Sequence, residues 1–158
     1  MFVIFDIQHG RFKNGVEDKG ASFDINNDGK KEYERDLVKK YVEYAASSLE
    51  DKGIQCEIIY THENYSTRQK RCIQKAKDNR DQFYLYIACH LNAGQGNYAV
   101  FIHDKRSSNG KKYAQQITDS FKNFNLTQRS LCRACDNDNW ERAYYCIKGI
   151  WSAPSNMC

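Results

Sequence analysis

The sequence contains no long apolar stretch. Nothing in it approaches the roughly 20 consecutive apolar residues that span a bilayer, so membrane insertion is not expected. The opening residues MFVIFDIQHG lack a basic start, an extended apolar segment and a small-residue cleavage site. They read as a first strand, not as a secretory leader, and cytoplasmic synthesis without a signal peptide is the expectation that follows. Blocks of like charge are absent too. The 24 Lys and Arg against 20 Asp and Glu leave a formal net charge of +4 spread along the chain, and dispersed charge of that size does not point to nucleic acid. It suits approach to an anionic cell wall or membrane surface, through an attraction that weakens with salt. Internal repeats and low-complexity tracts are also missing.

Cysteines are not scarce, yet organised cysteine chemistry is. Seven of them, an odd number, are scattered from Cys56 to Cys158; in a reducing compartment they are free thiols, several packed as small apolar residues. Cys132 and Cys135 form one CxxC. No second CxxC or His pair follows at ligand spacing, and the surrounding RACDND is not a βαβ redox setting, so two ordinary thiols are expected.

What is present describes a globular chain. With 158 residues, 41% hydrophobic and 13% aromatic, one domain with a core burying roughly two thirds of the unfolded surface is expected. Residues 2–7, FVIFDI, form a compact strand. Residues 11–31 have loop composition, with Gly15, Gly20 and Gly29. From Glu32 the residues Leu37, Val38, Tyr41, Val42, Ala45 and Leu49 recur at helical spacing, and Gly53 supplies a stop. A strand over 54–61, a charged helix over 66–79, a strand from 84, a strand over 97–103 and a helix over 108–123 follow. Beyond 125 the pattern is irregular, with one strand-like run at 143–149. This alternation predicts a single α/β domain with a mostly parallel, mixed central sheet and helices on both faces.

In such a sheet ligands gather beyond the carboxyl ends of the strands. His9 follows the first strand and His90 ends the apolar run YLYIAC, so both fall on that edge. Glu32, read as the first turn of the long helix, closes on them from the loop side. Two imidazoles and a carboxylate are the ligand chemistry of a hydrolytic zinc site with a fourth position for water. The imidazoles need acceptors behind them, and Asp6 or a backbone carbonyl is expected to serve.

Together VIFDIQHG, the helix opening EYERDL and YLYIACHLNA resemble the zinc-dependent N-acetylmuramoyl-L-alanine amidases of phage endolysins and bacterial cell-separation enzymes. The resemblance extends over about residues 2–125. It implies zinc held by His9, Glu32 and His90, a substrate-binding Asn92 in the His-x-Asn-Ala signature, and peptidoglycan as the partner of a phage or prophage enzyme; a monomer is the separate expectation. The implied reaction is cleavage of the amide between N-acetylmuramic acid and L-alanine, on the cell wall after release. Family members carry a further Glu in a late strand, usually within a Pro-Ala-Val-Leu-like run. No such run occurs here, and Glu141, the one glutamate of the last third, sits in NWERAY. The expectation is therefore an amidase-like domain over 1–158 lacking the last strand and helix, with no separate wall-binding domain and the catalytic acid unassigned. The alternative is an inactive remnant that binds metal or wall.

Several other groups are read as structural. Asp24, Asn26, Asp28 and Gly29 match half of a calcium loop, but Arg35 occupies the closing position, so a solvated turn is expected. Arg68 and Arg71 read as solvated charge on one helix face. His62 and His103 also end strands, without the small residue or the Asn-Ala pair that marks His9 and His90.

Overall fold

A computed structural model describes residues 1–78, 84–91 and 97–135. The chain divides into two compact units, whose described parts are residues 1–78 with 84–91, and residues 97–135.

The first unit is built on β1 (Phe2–Ile7), a strand buried at every position. Such a run has to lie between two layers. It pairs in parallel with β6 (Gln55–Ile59) on one side and β7 (Tyr84–Cys89) on the other. Alternate residues serve opposite faces. Val3, Phe5 and Ile7 pack with Val38, Val42 and Ala46 of α1 (Glu34–Glu50), while Phe2 and Ile4 pack with Cys72 of α2 (Tyr65–Asp78), Ile59 and Tyr84. Helices thus cover both faces, and the α/β class expected from the alternation is observed. Order β6-β1-β7 also demands it: the chain steps from β1 to β6 over one face, then returns across β1 to β7 over the other.

Helix α1 ends just before Gly53, whose N–H donates to Glu50 O at 2.8 Å. Asn64 starts α2, its Oδ1 accepting from Thr67 N at 3.2 Å. Residues 11–31, read as loop, contain two short antiparallel ribs. One joins β2 (Gly10–Arg11) to β3 (Glu17–Asp18), and the other joins β4 (Ser22–Phe23) to β5 (Glu32–Tyr33). Pairing with Phe23 holds Glu32 in β5, and α1 begins two residues later than expected.

The second unit is a β-α-β crossover. β8 (Tyr98–Asp104) pairs in parallel with β9 (Arg129–Cys135), and α3 (Ser108–Asn123) connects them, capped by Ser107 Oγ accepting from Gly110 N at 2.9 Å. Strand β9 lies in the segment read as irregular. Cys132 and Cys135, three apart on that strand, point to opposite faces, which separates them as ligands of one ion. Among the described residues no helix is long and apolar enough to cross a membrane.

Candidate metal centre

The carboxyl ends of β1 and β7 carry the cluster. His9 and His90 meet edge to face, with ring centroids 5.4 Å apart. The acid between them is Glu34, at the start of α1: its Oε1 lies 3.1 Å from His9 Nε2 and 3.1 Å from His90 Nδ1. One donor atom from each of the three falls within 4.8 Å of the others. Glu32, which the sequence reading placed here, is instead turned toward Lys40 at 3.7 Å, with more than a third of its side chain exposed. Extended pairing in β5 holds it away, whereas Glu34 sits in helical phase with Leu37, Val38 and Val42 and shares their burial.

Glu34 is oriented by the main chain. Ala21 N–H donates to Oε2 at 3.0 Å and Leu91 N–H to Oε1 at 2.9 Å. Burial opposes its ionisation, but the two imidazoles at 3.1 Å and the bonds from these two amides prevail and hold the carboxyl well below its usual range. His9 is oriented from behind by Asp18 on β3, whose two oxygens both stand 3.0 Å from Nδ1. A carboxylate only accepts, so Nδ1 carries the proton. In the neutral ring Nε2 is then a bare lone pair. That atom is buried, makes no hydrogen bond, and faces the Glu34 carboxylate. Two opposed lone pairs at 3.1 Å call for a cation between them, either a proton or a metal ion. A proton added to Nε2 would be shared with Glu34, and this does the most to raise the His9 pKa; burial opposes the rise, and Asp18 adds to it.

The donor set fits zinc. Two ligands at about 2.0–2.2 Å from one tetrahedral centre stand roughly 3.3–3.5 Å apart, close to the 3.1 Å seen from Glu34 to each imidazole. A family model described as N-acetylmuramoyl-L-alanine amidase (Amidase_3) matches residues 3–150, a span that holds all three donors.

The chain belongs to the N-acetylmuramoyl-L-alanine amidase family.

It is accordingly an amidase of the hydrolase class, with peptidoglycan as the family's substrate. No curated protein and no solved structure gives a significant match. In this amidase the acceptor behind His9 is Asp18 and not Asp6. Asp6, fully buried on β1, accepts from Arg68 Nε at 3.0 Å, from Tyr86 OH at 2.7 Å and from Gln8 Nε2 at 2.5 Å. Arg68, read as surface charge, is 1% exposed. Besides Asp6 it reaches Gln8 Oε1 at 3.0 Å and the His9 carbonyl at 2.5 Å. Arg71 does lie at the surface, forked onto Glu63 at 2.6 and 3.0 Å.

Backbone strain and close approach are concentrated here. His9 has φ 70, a left-handed conformation that costs a non-glycine residue about 1–2 kcal/mol. Gly20 has φ +74, and a Cβ there would stand 2.7 Å from both Glu34 Oε2 and His9 Cδ2.

The rival groups stay outside the cluster. His62 is exposed beside Arg35, at 3.3 Å from its Nη1, and His103 is buried with Nδ1 2.9 Å from Asp104 O. Asp24 accepts from Asp28 N and Gly29 N at 3.1 Å each, the bonding of a closed polar turn. Asn92 and Glu141 lie outside the described residues.

Proposed function

We propose that this amidase is a zinc hydrolase that cleaves the amide between N-acetylmuramic acid and L-alanine, with zinc held by His9, Glu34 and His90. The observation that carries the reading is the buried, unbonded His9 Nε2 aimed at the Glu34 carboxylate in the same cluster as His90. Bound there, zinc would supply Lewis acidity toward the amide carbonyl and activation of water near neutral pH. The chain's own residues prepare the site. Asp18 keeps the proton on His9 Nδ1 and so leaves Nε2 free as a ligand. The Ala21 and Leu91 amides fix the Glu34 carboxylate, and the two ribs of the 11–31 segment carry Asp18 and Ala21 to it.

Asn92, beside His90 in the sequence, is the substrate-binding residue that the family resemblance implies. An endolysin role, opening a bacterial wall from a phage gene, is the setting that the same resemblance favours. The net charge of +4 suits approach to an anionic wall. The test is incubation of purified peptidoglycan with the zinc-loaded protein, the chelated protein and the His90→Ala variant. New free N-terminal alanine with the first alone is expected. Retention on the wall with no new amino termini would replace the hydrolase by a wall-binding module.

A further inference from the structure

We infer that Arg68 is a positioning residue: it holds the His9 main chain in the conformation that aims Nε2 at Glu34, and so tunes the grip on the metal. The inference rests on the zinc reading above and deepens it.

The fork is made in three directions. Arg68 Nε bonds Asp6 Oδ1, Nη2 bonds Gln8 Oε1, and Nη1 bonds the His9 carbonyl. Gln8 in turn donates to Asp6, and Tyr86 donates to the same carboxylate oxygen. The two side chains that hold the guanidinium are thus tied to each other and Asp6 also to Tyr86, and Arg68 and Asp6 are 1% and 0% exposed. The contact that matters for the metal is the third. His9 holds a left-handed backbone conformation, φ 70, so displacement of its carbonyl swings the imidazole that this residue presents. Gly10 lets this segment lie close to the backbone of Thr61 and Glu63: a Cβ on it would meet Thr61 O and Glu63 O at 2.8 Å and Arg68 Nη1 at 3.2 Å. A lysine at position 68 would keep a positive charge opposite Asp6 but has no planar fork to reach Gln8 and His9 as well.

The experiment measures zinc affinity by competition with a chromogenic chelator, the visible spectrum of the cobalt-substituted protein, and the thermal midpoint in chelator. The proteins are the wild type, Arg68→Lys, Gln8→Met and Tyr86→Phe. Expected for Arg68→Lys is a loss of about 10–100-fold in zinc affinity, the range typical of groups that orient a ligand, with an altered cobalt spectrum. Gln8→Met, which unties one arm of the fork, is expected to lose affinity several-fold and serves if Arg68→Lys does not fold. Tyr86→Phe removes a donor from Asp6 but leaves the His9 carbonyl held. It is expected to lower the thermal midpoint while keeping zinc affinity within about twofold. Wild-type affinity and spectrum in folded Arg68→Lys or Gln8→Met would overturn the inference alone. So would affinity that merely follows the thermal midpoint across all three variants. A wild type that binds no zinc would overturn the metal reading and this inference with it.

Discussion

Replacing Glu34 by Gln keeps the shape of the side chain and removes what the cluster requires of it. The carboxylate accepts from Ala21 N–H on one oxygen and from Leu91 N–H on the other, at 3.0 and 2.9 Å. An amide has one accepting end. Whichever way it is turned, one of the two backbone N–H groups faces an NH2 and loses its partner. A stranded buried donor costs about 1–3 kcal/mol. Taking about 2 kcal/mol, and roughly 2–4 °C per kcal/mol for a chain of this size, the metal-free thermal midpoint should fall by about 4–8 °C. The zinc effect should be larger in kind, because a ligand is lost: affinity should drop by more than the roughly 10–100-fold that an outer partner costs. Glu32→Gln is the matched control. Its 3.7 Å pair with Lys40 is exposed, so it should change stability by less than about 1 kcal/mol and leave zinc affinity unchanged. Differential scanning calorimetry in chelator gives the first quantity, and titration against a chromogenic chelator gives the second. Zinc binding that survives Glu34→Gln and is abolished by Glu32→Gln would refute the assignment of the acid.

Three further outcomes are expected. Asp18→Ala removes the acceptor from His9 Nδ1 and should weaken zinc by about 10–100-fold in the same titration. Gly20→Ala forces a side chain into a left-handed residue 2.7 Å from Glu34 Oε2 and His9 Cδ2. It should cost on the order of 1–3 kcal/mol in urea denaturation, and unchanged stability would show that the ribs do not press on the site. Without metal, His9 has a pKa raised from 6.5, so its stabilisation is complete below that value and is lost as pH rises through the folded value. Glu34 has the opposite sense, its contribution being present above the ordinary 4.5 and lost as pH falls through its depressed value. The midpoint in chelator should therefore decline on the alkaline side of 6.5, and His9→Gln should flatten that decline.

Strong periodicity made the large elements legible. The runs FVIFDI and YLYIAC and the stripe Leu37, Val38, Val42 announce β1, β7 and α1 because each buries a continuous apolar face. Two-residue ribs carry no periodicity, so the means by which β3 delivers Asp18 and β4–β5 withholds Glu32 were not legible. The sequence does hold a signal for Glu34: counted at three and four residues, it is in phase with Leu37 and Val38, and Glu32 is not. Arg68 had one as well. An aspartate inside a wholly apolar strand needs a buried partner, and Arg68 lies four residues before the buried Cys72 on α2. Strand β9 was missed because RSLCRAC mixes two arginines into its alternation, with exposed and buried positions out of strict order.

Asp6 has a consequence for how the chain assembles. Its neighbours on β1 are all aliphatic or aromatic, so an error of one position in aligning that strand would cost little in greasiness on either side. Such an error would carry the carboxylate under Val38 and Val42 and leave an aliphatic group against the Arg68 guanidinium, stranding two charges in a dry interior. The lone acid in the strand thereby acts as an index mark. It makes the one alignment that delivers His9 to the edge of the sheet the only alignment with no orphaned ion.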